Sequence, residues 1–99
     1  MEFKIMKNGL KYGNIWFEGG DGHSIEEAII ICGTKDTAKG IGAEKFYISY
    51  KYGHEDADWY LFEQELILND KAYDVITIGL SDSSFKEIYF DISEFYGKV

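Results

Sequence analysis

Three segments rich in aromatic and β-branched residues follow one another almost without pause: WYLFEQELIL (59–68), YDVITIGL (73–80) and FKEIYFDI (85–92). Only NDKA and SDSS separate them, short polar turns of the kind that close antiparallel hairpins. The pattern predicts a three-stranded meander, and side chains along each strand must alternate between two faces. One parity collects Tyr60, Phe62, Leu66 and Leu68, then Ile76, Ile78 and Leu80, then Ile88, Phe90 and Ile92; it is the expected core face. The opposite parity collects Trp59, Leu61, Glu63, Glu65 and Ile67, then Tyr73, Val75 and Thr77, then Glu87, Tyr89 and Asp91. That second face mixes large aromatics with carboxylates, as does a surface that buries anchors and steers by charge. Trp59, Glu63, Glu65, Tyr73, Glu87, Tyr89 and Asp91 are therefore the candidate partner-binding residues. The competing expectations are that the amino-terminal half covers this face, or that it is ordinary cross-strand pairing on an open sheet.

Upstream, two templates compete. In DTAKGIGAEKFYISYKYG, Ala43, Phe46, Tyr47 and Tyr50 recur at helical spacing, while Phe46, Ile48, Tyr50 and Tyr52 alternate as in a strand. The length of the stretch and its glycine-marked ends favour a helix from about 39 to 52. In SIEEAIIICG, Ser24 and Glu27 have the form of a capping box, whereas three consecutive isoleucines favour a strand, expected over 26–32. EFKIM and NIWFE around NGLKYG suggest an opening hairpin, and SEFYG after Asp91 a last helical turn capped by Ser93. Ninety-nine residues make one domain, 1–99. The expected fold is α+β: one main helix on a four- to five-stranded, mostly antiparallel sheet with the meander at its carboxy-terminal end.

Charge narrows the partners. The net charge is −8, and residues 1–53 carry seven lysines and seven acids, whereas residues 54–99 carry three lysines and eleven acids. Nucleic acid needs a positive footprint, and the chain has no arginine for bidentate phosphate recognition, so a nucleic-acid ligand is not expected. No apolar run approaches a membrane span or a secretory signal, and the one cysteine, Cys32, ends an isoleucine run as a small buried hydrophobe. A cytoplasmic setting is the expectation.

Among candidate sites, GHEDADW places His54, Asp56 and Asp58 in one acidic run, and His23 lies in the turn GGDGHS. A calcium loop would need its central glycine and closing glutamate, and zinc a richer set of histidine or cysteine ligands. These four residues are weak metal candidates, and no metal or other cofactor is expected. The run is better explained as a solvated connection between Gly53 and Trp59. Gly40-Ile41-Gly42, beside Lys35 and Lys39, matches neither a phosphate loop nor a dinucleotide fingerprint. No serine occupies a nucleophile elbow, and an enzyme is not the favoured class. The favoured expectation is a small acidic protein-binding module, of the inhibitor or immunity type, that masks a basic partner surface. The alternatives are a structural module that forms a homodimer through a sheet edge, and a metal-binding protein or enzyme using His23, His54 and neighbouring acids.

Overall fold

The computed structural model describes residues 9–98. In chain order they form β1 (Lys11–Tyr12), β2 (Ile15–Gly19), β3 (Ile29–Cys32), helix α1 (Thr37–Tyr52), β4 (Trp59–Leu68), β5 (Ala72–Leu80) and β6 (Phe85–Asp91). The strands make one sheet in the order β1-β2-β3-β6-β5-β4. Its meander is the one expected from the turns, with β4–β5 and β5–β6 antiparallel. The amino-terminal strands are likewise antiparallel, but β3 joins β6 in parallel through Ile29↔Phe90 and Ile30↔Asp91. The described residues thus form a six-stranded mixed sheet with one helix, where four or five strands were expected; four of its five strand pairings are antiparallel and one is parallel. The parallel junction closes only after the chain has run through α1 and the whole meander, so no local turn announces it.

Other expectations move. The first hairpin turns at Gly13-Asn14 and pairs Lys11–Tyr12 with Ile15 and Trp16; the expected strand EFKIM lies outside the described residues. The strand expected at 26–32 begins at Ile29, because Ser24 and Glu27 close a tight turn in which Glu27 N donates to Ser24 O (3.1 Å). The expected closing helical turn is only a turn, held by Tyr96 N donating to Ile92 O (2.8 Å). Ser93 accepts from Ala72 N instead of capping a helix (3.1 Å).

Helix α1 begins two residues before the expected start. Asp36 is its N-cap, accepting from Lys39 N (3.1 Å), and Gly53 ends it with φ 106° and an N–H donated to Ser49 O. Gly40 and Gly42 are therefore interior helical residues, not an anion-binding turn. Each glycine costs a helix about 1 kcal/mol relative to alanine, and close packing explains their presence. A Cβ on Gly40 would come within 2.3 Å of the Phe95 ring, and one on Gly42 within 2.6 Å of the Tyr12 hydroxyl. The buried apolar side chains of α1, Ala43, Tyr47 and Ile48, join Phe17, Ile29, Ile31, Ile76, Ile78, Ile88 and Phe90 in the core. Tyr47 packs against Phe17 (5.1 Å between ring centroids) and edge-on to Phe90 (6.0 Å). No helix among the described residues is long and apolar enough to cross a membrane.

Candidate functional site

Strand β4 is the outermost strand of the meander and, among the described residues, is open along nearly its whole length. A β-bulge shapes it. Leu61 opposes Ile78 and Glu63 opposes Thr77, so Phe62 is an extra residue and the side-chain parity changes there. Upstream of the bulge, Trp59 and Leu61 turn to the helix side; downstream, Gln64, Leu66 and Leu68 do. Trp59, expected on the partner-binding face, is instead 2% exposed, and its indole N–H donates to Gly53 O (2.8 Å).

On the face away from α1 the bulge brings three rings together. Tyr60 opposes Gly79, which in turn opposes Phe85. A Cβ on Gly79 would fall 2.3 Å from the Tyr60 ring, so the bare glycine lets that ring lie flat across β5. Phe62 meets Phe85 with ring centroids 4.6 Å apart. All three rings are exposed: Tyr60 45%, Phe62 56% and Phe85 51%. Beside them, Glu63, Thr77 and Glu87 form one row across the three strands, and Glu65, Val75 and Tyr89 the next. Glu63, Glu65 and Glu87 are exposed, and no lysine pairs with any of them among the described residues. The Tyr89 hydroxyl donates to Glu87 Oε1 (3.4 Å). Its phenol is pushed up by desolvation first, then by the Glu87, Glu65 and Glu26 carboxylates that surround it.

Of the other expected partner residues, Tyr73 and Asp91 are buried. Asp91 is held by Lys71 (3.7 Å) and accepts from Ser93 N (3.0 Å), and Ile25 and Glu26 of the 20–28 connection lie at this end of the face. Among the described residues, the amino-terminal half therefore approaches the far face at its β6–β3 end. Glu63, Glu65 and Glu87 remain on the surface, with Tyr89 half-buried among them.

The weak metal candidates are not brought together. Asp58 accepts from His54 N (2.8 Å), while His54 O accepts from Ala57 N and Asp58 N. Asp56, at φ 68°, donates its N–H to Trp59 O (2.6 Å). The run 54–58 is thus a folded connection that seals the first residue of the β4 edge. His23 pairs with Asp21, which raises the imidazole pKa and lowers that of the carboxyl. No group of three or more His, Cys, Asp or Glu among the described residues is placed to hold a metal ion. Burial pushes the Cys32 thiol up to about 11, which makes it a poor nucleophile.

One polar cluster had no signature in the sequence. Glu44, on the helix face turned to the sheet, is 1% exposed and lies against Asp74 of β5, which also accepts from Gln64 Nε2 (3.1 Å). Burial, then the hydrogen bond and charge of Asp74, push Glu44 up to about 10. With both carboxyls ionised, Glu44 Oε2 would lack a donor; a proton on Glu44 turns a repulsive pair into a hydrogen bond. Glu44 falls on the buried stripe of an otherwise apolar helix face, but only the tertiary contact with Asp74 identifies its partner.

No family model, no curated protein and no solved structure matches the chain.

Proposed function

We propose that this chain is a protein-binding module that holds a basic partner protein on the β4 side of its sheet, in the manner of an inhibitor or immunity-type protein. One observation carries the reading: three exposed aromatic rings, Tyr60, Phe62 and Phe85, adjoin three exposed carboxylates that no lysine pairs with among the described residues. Rings at that exposure supply apolar anchors, and unpaired carboxylates supply the field that steers a cationic surface. Arginine fits best, because its guanidinium can stack on a ring while bonding a carboxylate. The buried, unreactive Cys32 is consistent with a cytoplasmic setting.

The test is paired affinity capture from host lysate with the native chain and with a Phe62→Ser/Phe85→Ser variant. A basic protein held by the native chain, released by salt and lost by the variant is the expected result. Charge reversal at Glu63, Glu65 and Glu87 should also slow its association and flatten the salt dependence. A partner held equally by the native and both variant proteins would place the binding surface elsewhere.

A further inference from the structure

Resting on that reading, we propose that the partner contributes an extended segment that adds as a strand to the outer edge of β4 over Glu63–Leu68, with basic residues at alternate positions. The edge is free for such an addition. Among the described residues, its outer side is paired only at the first residue, where the 54–58 connection reaches Trp59. After the bulge, β4 runs regularly against β5 from Glu63↔Thr77 to Leu68↔Ala72. A regular edge strand presents the N–H and C=O of every second residue outward.

Such edges are ordinarily blunted by charge, by proline or by a bulge. Here the segment Glu63–Leu68 lacks proline and follows the bulge, and its charges, Glu63 and Glu65, repel acidic strands and favour a basic one. Its two rows differ in chemistry. Gln64, Leu66 and Leu68 line the helix side, and Glu63, Glu65 and Ile67 the far side. An added strand, with its own period of two, meets Leu66 and Leu68 beside Gln64 on one side, and Glu63 and Glu65 beside Ile67 on the other. Its complement alternates apolar and basic residues. A second copy of this chain is the wrong occupant. Antiparallel self-pairing centred on Gln64 sets Glu63 of each copy opposite Glu65 of the other, pairing centred on Leu66 leaves Glu65 facing Ile67 with no basic partner, and in either register two chains of −8 repel.

The probe is a blocked hexapeptide alternating arginine and valine, followed by amide hydrogen exchange and two-dimensional NMR of the whole chain. The expected result is exchange slowed on the order of tenfold or more at the outward amides of Glu63–Leu68. Binding should weaken as salt rises and disappear when the peptide's pairing amides are N-methylated. Shifts at Phe62 and Phe85 without slowed β4 exchange would overturn strand addition and leave the binding surface standing. No shift anywhere would overturn both. A free protein that is already dimeric, with its β4 amides protected, would overturn the choice of occupant.

Discussion

Strands β4 and β5 lie side by side, share nine register pairs, and are both rich in Leu, Ile, Val and aromatic residues. Yet β5 is buried along most of its length, whereas β4 is buried only at Trp59. Composition does not separate them; cover does. Helix α1 and the flanking strands close over β5, and β4 extends beyond them as an edge. Most of the apolar content of β4 thus lies outside the buried core, and on the reading proposed above its exposed leucines and rings are what a partner would cover.

Substitutions on the two sides of that boundary should differ by several kcal/mol. Phe90→Ala, in the fully buried layer beside β5, should cost about 3–5 kcal/mol in chemical denaturation. Gly40→Ala improves helix propensity yet forces a methyl into the buried Phe95 ring, and should still lose about 1–3 kcal/mol. A gain there would mean that the Phe95 contact yields cheaply.

Glu44 gives a pH test of the covered side. Its folded pKa of about 10 exceeds the ordinary 4.5, so the folded chain keeps a proton that the unfolded chain releases. Its contribution is therefore whole below about pH 4.5, declines as pH rises, and is lost by about pH 10. Glu44→Gln keeps an N–H donor for Asp74 without the ionisation. It should stabilise the protein at pH 8 by on the order of 1–2 kcal/mol, less than full linkage because the amide too must be desolvated. The gain should vanish towards pH 4; a gain that did not change with pH would show that the buried proton is absent.

On the open side, Phe62→Ser and Leu68→Ser should each change stability by about 0.5 kcal/mol or less. A loss as large as that of Phe90→Ala would mean that β4 is covered after all.

The meander and the helix were legible in the sequence because both rest on local signals: short polar turns, apolar period and a glycine stop at Gly53. The parity of β5 and β6 was also legible, and Ile76, Ile78, Ile88 and Phe90 are buried as expected. What failed was nonlocal. The single extra residue at Phe62 reverses parity, which sends Trp59 into the core and leaves Tyr60 and Phe62 outside. A bulge has no reliable local signature, although Gly79 in mid-strand marks a close approach, which proves to be that of Tyr60. The acidic half of the proposed surface, Glu63, Glu65 and Glu87, was visible from alternation alone. Of its expected aromatics, Tyr89 stays on that face, but Trp59 and Tyr73 are buried, and the exposed rings are Tyr60, Phe62 and Phe85. The β3–β6 junction joins residues about sixty apart in the chain, beyond the reach of any window of local pattern.

Amide hydrogen exchange across β4 and β5 in the free protein reads directly whether the β4 edge is open. With β4 as an open edge, the outward amides of Glu63–Leu68 should exchange rapidly while those of Val75–Ile78 remain protected to near the global stability. Equal protection of the two strands would show that the β4 edge is already occupied, and would contradict the account of it as the binding surface.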